Sequence, residues 1–322
     1  MDLDVLFLGT AGSSPTARRG LPATLVRRGG DRLLIDCGEG TQRQLVRSVG
    51  LVELEEVFIT HFHADHVLGL PGMLKTFGLR QRERPLTVYG PVGLKRLFDG
   101  LRPVIGRTAF PVDLVELEPN DELTRDDYRV AAFAVDHGVR ALGYALVESP
   151  RPGHLDPKLA KELGVTPGPD FGRLVRGETV NGVRPEQVMG ETRRGRRVVL
   201  AGDTAPTEMT RLVAHEADLL VHEATFLEDE AERATETRHS TAQGAAEIAA
   251  GAGVAMLALT HVSPRYAGGE LRDEARAVFP NTVVPRDFDR IEIPFPERGE
   301  PVHVRHADRP REPAAEGVGP GC

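Results

Sequence analysis

Val57-Phe58-Ile59-Thr60-His61-Phe62-His63-Ala64-Asp65-His66 carries four potential metal ligands out of the end of an apolar run with strand character. Alternate residues at an extended strand end face the same way, so His61 and His63 can share one ion. Asp65 and His66, beyond the turn, then face a second. A neutral imidazole offers a nitrogen lone pair and a carboxylate an anionic oxygen, a set that suits Zn²⁺ or a similar borderline ion. The same arrangement recurs further along. Asp136-His137 follows the apolar stretch 130–135, Gly202-Asp203-Thr204 follows 198–201, and Thr260-His261 follows 256–259. Ligand-type residues at the ends of several strands build one site at a sheet edge. The cluster reads as a two-metal hydrolytic centre.

Outward from it, apolar runs of strand length occupy 5–8, 23–26, 32–35, 86–89, 128–135, 142–147, 197–201, 219–221 and 256–259. Helices are predicted over 40–49, 69–77, 93–100, 208–216, 241–251 and 269–278. This alternation is a layered α/β pattern with mixed sheets. A chain of 322 residues can bury a sizeable core. Its 40% hydrophobic and 27% charged residues exclude a fibrous or disordered class. No apolar run approaches the roughly 20 residues that cross a bilayer. The acidic start Met1-Asp2-Leu3-Asp4 lacks the basic region of a secretory signal, which points to the cytoplasm. Cys37 and Cys322 make no disulfide framework.

Two segments break the pattern. Residues 150–197 are rich in Gly, Pro and Arg, with ten basic and six acidic side chains, a local excess of +4 in a chain of net charge −8. Any nucleic-acid contact must come from such a local basic patch. Residues 297–322 form a Pro/Gly/Arg/Glu tail predicted to be disordered. The expected organisation is a catalytic domain over 1–296 with 150–197 as an insertion.

The His-x-His-x-Asp-His spacing with its later partners resembles the metallo-β-lactamase superfamily. That resemblance implies a four-layer αββα sandwich around a binuclear centre. Carried over by position, His61, His63 and His137 hold one metal, Asp65, His66 and His261 the other, and Asp203 bridges them. Further stretches narrow the family: Phe7-Leu8-Gly9-Thr10-Ala11-Gly12-Ser13, Leu34-Ile35-Asp36-Cys37-Gly38-Glu39-Gly40-Thr41-Gln42-Arg43-Gln44, His222-Glu223-Ala224-Thr225 and His239-Ser240-Thr241. Together they resemble the tRNA 3′-processing endoribonucleases, the ribonuclease Z family, over residues 1 to about 295. The resemblance implies a flexible arm that grips tRNA away from the active site, with Gly168, Pro169, Gly172, Arg173 and Leu174 at its tip. It also implies a homodimer in which one subunit's arm presents precursor tRNA to the other's site. The first loop departs from the family's Pro-x-Lys-x-Arg-Asn pattern: Ala17 and Gly20 replace the Lys and Asn, while Pro15 and Arg19 remain.

The resemblance implies removal of the 3′ trailer from tRNA precursors, with two Zn²⁺ ions, or Mn²⁺, activating water. Asp65 acts as general base. His239, oriented by Glu223, protonates the departing 3′-oxygen, with His222 as the alternative donor. Asp36 and Thr204 read as hydrogen-bonding support. Two other classes fit parts of the pattern. One is a superfamily enzyme acting on small esters with 150–197 as a lid. The other is a metal-stabilised RNA-binding protein without catalysis, which an open ligand set and the Glu223/His239 pair disfavour.

Overall fold

The computed structural model describes residues 1–51 and 54–306. Among them the strands, numbered in chain order, are β1 (Leu3–Gly9), β2 (Ala23–Arg28), β3 (Asp31–Ile35), β4 (Glu56–Phe58), β5 (Leu86–Pro91), β6 (Val112–Leu117), β7 (Glu122–Thr124), β8 (Tyr128–Ala134), β9 (Leu142–Glu148), β10 (Arg197–Leu200), β11 (Leu219–Glu223), β12 (Met256–Thr260), β13 (Thr282–Val283), β14 (Arg290–Glu292) and β15 (Val302–Val304). They form an eight-stranded sheet ordered β15-β14-β1-β2-β3-β4-β5-β6 and a seven-stranded sheet ordered β13-β12-β11-β10-β9-β8-β7.

The two sheets share one apolar interior. Val5, Phe7, Ile35 and Phe58 of the first meet Tyr144, Leu200, Val221 and Ala258 of the second. On the outer face of the first sheet, Leu34, Val57 and Val88 pack under helices Thr41–Ser48, Gly69–Leu79 and Leu94–Ile105. On that of the second, Val199, Leu220 and Leu257 pack under helices Ala242–Ala252 and Gly268–Val278. Burial on both faces is why these strands read as continuous apolar runs rather than alternating ones. The result is the αββα sandwich, with the ligand-bearing strand ends on one edge. β10, β11 and β12 are parallel to one another, and β8 runs the same way because both it and β10 pair antiparallel with β9.

Three expectations change. Strands β6, β7 and β13 to β15 had no clear sequence signal, because they are short or carry charges such as Asp113 and Glu116 within edge strands. The tail expected to be disordered from 297 instead continues as a 3₁₀ turn, Pro296–Arg298, and as β15, paired antiparallel with β14. Glu297 is held by Arg151 and Arg193, and contacts of this kind give a weakly apolar segment its place. The remainder of that expected tail, 307–322, lies outside the described residues.

The insertion expected as a flexible arm folds on itself. Helices Pro157–Glu162 and Pro169–Val175 enclose Ala160, Val165, Leu174, Val180, Val183 and Val188 in a small core of their own. Its base is closed by a backbone bridge between Arg151 and Arg193. Its apolar residues are too widely spaced to show periodicity, but they suffice for a local core once the turns bring them together. Among the described residues no helix is long and apolar enough to cross a membrane.

Candidate metal centre

The parallel strand ends deliver the predicted ligands to one place. β4 leads to His61, β8 to His137, β10 to Asp203 and β12 to His261. A single helical turn, Ala64–Val67, folds Asp65 and His66 back toward His61. His261 sits at φ 57°, a left-handed conformation that a residue with a Cβ rarely adopts. It is held there by packing: a Cβ placed on Gly12 would lie 2.6 Å from His261 Nδ1, so only glycine admits this approach.

Two groups of ligand atoms result. His61 Nε2 lies 2.9 Å from His63 Nδ1, and His63 Nδ1 lies 3.1 Å from His137 Nε2. In the second group, His261 Nε2 is 3.4 Å and His66 Nε2 3.6 Å from Asp65 Oδ2. Asp203 Oδ2 sits between the groups, 3.1 Å from His261 Nε2, 3.3 Å from His66 Nε2, 3.8 Å from His137 Nε2 and 3.9 Å from His61 Nε2. Ligand atoms on one tetrahedral ion at metal–nitrogen distances of about 2.0–2.1 Å lie about 3.3 Å apart, so the spacing fits.

The outer atoms of the rings decide which nitrogen is free. Thr60 Oγ1 donates to Asp36 and lies 3.0 Å from His61 Nδ1, so it accepts the proton there. His66 Nδ1 donates to Asp36 Oδ2 at 2.8 Å, and His137 Nδ1 donates to the Arg238 carbonyl at 3.2 Å. His261 Nδ1 donates to Thr225 Oγ1 at 2.8 Å, and that hydroxyl donates to Glu223. Each of these rings therefore turns an Nε2 lone pair inward, the tautomer a metal ligand needs. The Nε2 atoms of His66 and His261 are buried without a hydrogen-bond partner, an arrangement that is costly unless a cation completes it. Burial and the neighbouring His66 push the His61 pKa down to about 2, which keeps it neutral. Burial opposes the charge of Asp203, but His261 and His66 hold its carboxyl well below the usual range. The donor set suits a divalent metal.

Beside the cluster, β11 ends in Glu223, a buried carboxylate satisfied by the Thr204 and Thr225 backbone N–H groups. His239 follows helix Ala231–Thr237, positioned by Arg238 at φ 55°. Its Nδ1 donates to Glu223 Oε1 at 2.6 Å, and its ring centroid lies 4.8 Å from that of His137 and 5.3 Å from that of His261. Burial works against charge on His239, but Glu223 outweighs it and raises the imidazole to about 9. Among the described residues its Nε2 has no hydrogen-bond partner.

The sequence reading needs adjustment at several positions. His222 is fully buried, its Nδ1 donates to the Glu223 carbonyl, and burial lowers its pKa, so it is not the alternative proton donor. Leu174 is wholly buried in the arm's core and cannot touch RNA. Arg173 is exposed but paired with Glu178 and Asp170. Gly168, at φ 118°, caps the helix beginning at Pro169, with open space beside it and beside Gly172 only the end of the Arg176 side chain. Much of the arm's basic excess is committed elsewhere: Arg196 is buried against Glu148, Arg194 binds Asp218, and Arg151 and Arg193 bind Glu297. Thr60 was not singled out, although its place between Asp36 and His61 was readable as a hydroxyl next to a ligand. Nor was Ser13, whose N–H donates to Asp65 Oδ2 at 3.0 Å.

A divalent-metal ligand set at the strand-end edge of an αββα sandwich defines a metal-dependent hydrolase of the metallo-β-lactamase type, and residues 19–261 match the metallo-beta-lactamase superfamily. The chain is 48% identical to ribonuclease Z of Gemmatimonas aurantiaca over 307 residues, 92% of this chain and 98% of that protein. It is also 48% identical to ribonuclease Z of Natronomonas pharaonis, over 92% of this chain and all of that one. The crystal structure of human tRNase Z, short form, superposes with a TM-score of 0.66 at 28% identity, covering 90% of this chain and 99% of that one. YhfI of Bacillus subtilis gives a TM-score of 0.68 at 21% identity over 91% of this chain and all of that one, a likeness of fold alone. Within that superfamily, this chain belongs to the ribonuclease Z family.

Proposed function

We propose that this protein is an endoribonuclease that removes the 3′ trailer from tRNA precursors, leaving a 3′-hydroxyl on the tRNA and a 5′-phosphate on the trailer. The observation that carries the chemistry is the Glu223–His239 pair standing beside the ligand cluster. A site that only bound RNA would need no proton donor next to open metal ligands.

His61, His63 and His137 would hold one Zn²⁺, and Asp65, His66 and His261 a second, with Asp203 between them; Mn²⁺ suits the same nitrogen and oxygen donors. Bound ions would lower the pKa of water at the centre and offset charge on the phosphate's non-bridging oxygens. The side chains supply the rest. Burial opposes ionisation of Asp65, but His261 and His66 outweigh it and hold the carboxyl well below the usual range. It stays an anion, and with Oδ2 facing Ser13 and the ligand rings, Oδ1 accepts the proton of the attacking water. Glu223 orients His239 so that Nε2 delivers its proton to the departing 3′-oxygen.

The arm is the second RNA contact in this reading, through the open backbone at Gly168 and Gly172 rather than through Leu174. A homodimer, with one arm serving the partner's site, rests on the family resemblance, and sedimentation analysis tests it. We place the activity in the cytoplasm, where a buried, unpaired Cys37 stays reduced.

The deciding experiment incubates purified protein with a 3′-extended tRNA precursor, with and without a chelator, and maps both new ends. Cleavage at the tRNA 3′ boundary that stops on chelation is the expected result. No cleavage with either zinc or manganese restored would overturn the proposal.

A further inference from the structure

A cavity of about 1360 Å³ lies beside the ligand cluster rather than over it. It exceeds the roughly 300–1,000 Å³ typical of small-ligand pockets and suits a length of polymer. Its walls come from loop 15–20, the start of helix Thr41–Ser48, the turn after His261, helix Gly268–Val278, loop 283–289 and the end of β15. Eight arginines line it, and no lysine does.

Only part of this charge is spoken for. Arg19 is tied to Thr10 Oγ1 and the Pro285 carbonyl, and Arg276 to the Thr282 carbonyl. Arg18, Arg43, Arg286 and Arg305 are exposed, with no side-chain ion pair among the described residues. Of the three acids in the wall, Glu39 is exposed with no ion pair among the described residues, and the two aspartates do not answer the arginines. Asp287 accepts from Thr10, Gly20 and Gln44, and Asp289 from His303, Arg286 N–H and His306 N–H, so both carboxylates are turned into the protein framework. A chain of net charge −8 thus concentrates unpaired guanidinium groups in one groove. Guanidinium forks match phosphate oxygens.

The groove is joined to the chemistry by its own wall. Loop 13–20 presents Ser13 N–H to Asp65 on one side and Pro15 to Gly20 to the groove on the other. On the facing wall, Val262 and Ser263 directly follow the ligand His261. Four rings line the cavity, and each is engaged by the protein: Tyr266 donates its hydroxyl to Glu230, Phe288 is buried, His303 is held by Asp289, and His306 packs on Phe288.

We infer that this arginine groove binds the sugar–phosphate backbone of the RNA strand flanking the scissile bond, without reading its bases. The inference rests on the endoribonuclease reading and names the surface that seats the substrate there. Two strand segments offer this chemistry, the tRNA 3′ strand and the trailer.

The test compares wild type with R43Q/R286Q/R305Q. Binding of a 3′-extended tRNA precursor and of the mature tRNA is measured across a salt series. Hydrolysis of bis(p-nitrophenyl) phosphate, too small to span the groove, reports an intact fold and centre. The triple variant should bind the precursor roughly tenfold or more weakly, with a log–log salt slope shallower by about 2, at unchanged ester turnover. Loss for both RNAs assigns the groove to the tRNA strand; loss confined to the precursor assigns it to the trailer. Should the triple variant unfold, the single variants carry the test, each lowering the slope by about 0.7. Unchanged affinity and slope, with wild type cleaving normally, would overturn the groove and leave the function standing. A wild type that fails to cleave the precursor would instead overturn the function reading.

Discussion

Replacing His239 with alanine removes a proton donor while leaving every predicted metal ligand in place, which makes it the cleanest test of the mechanism. The side chain touches the centre only through ring contacts with His137 and His261, and its one strong bond is the 2.6 Å contact to Glu223. At an imidazole pKa raised to about 9, His239 is protonated throughout the neutral range. A 3′-oxygen leaving from ribose is a poor leaving group and must receive that proton. Losing a positioned general acid lowers turnover by about 10²–10⁴, equivalent to roughly 2.7–5.5 kcal/mol of transition-state stabilisation. The assay is single-turnover cleavage of a 3′-extended tRNA precursor, set against bis(p-nitrophenyl) phosphate, whose phenolate departs without protonation. The RNA reaction should fall by the full factor and the ester reaction by less than about tenfold, at unaltered metal content. Equal losses on both substrates would show that His239 serves the centre's structure and would refute its role as the acid.

Removing the Asp36 carboxylate (Asp36→Ala) strips the acceptor that orients His66 and Thr60, and metal affinity measured by competition with a chelator should fall about 10–100-fold. Glu148 is buried and accepts from Arg28 and Arg196, so Glu148→Ala should cost about 3–5 kcal/mol by stranding the buried Arg196 guanidinium, while Arg28 keeps Asp127, lowering Tm by roughly 5–8 °C in calorimetry. Burial opposes its ionisation, but Arg196 and Arg28 outweigh it and hold its pKa below the ordinary 4.5. Its contribution is therefore complete above about pH 4.5 and lost as pH falls through the lowered value, so wild type and variant should converge in acid. Joining residues 152 and 192 by a short turn removes the arm above its Arg151–Arg193 bridge. This should weaken tRNA binding and flatten its salt dependence without loss of ester hydrolysis, and unaltered binding would dismiss the arm as an RNA contact.

The ligand cluster was legible because each member directly follows an apolar run, and such runs must be strands when both faces of a sheet are covered. That is a local property of the chain, and His61, His137, Asp203 and His261 could be placed at strand ends from it alone. Edge strands such as β6 and β15 owe their pairing to neighbours distant in sequence, so their own residues carried little signal. The arm's interior was illegible for a related reason. Counting charges gave a basic excess, but a count does not show that Arg196 is buried on Glu148 or that Leu174 fills a core.

The sequence by itself determined the residues able to hold a metal, the layered α/β class and the presence of a carboxylate–histidine pair. Those follow from side-chain chemistry and from hydrophobic spacing along a few residues. The tertiary structure decided which nitrogen of each ring is free and that His239, not His222, faces the centre. It also decided that unpaired positive charge gathers in a groove, whereas on the arm, among the described residues, Lys158, Lys161 and Arg184 are left without an ion pair. Arg18, Arg43, Arg286 and Arg305 come from four separate segments, and only folding brings them to one groove, while Asp287 and Asp289 near them are claimed by backbone and side-chain donors. Long-range pairing, not composition, sets where a charge is left for a substrate.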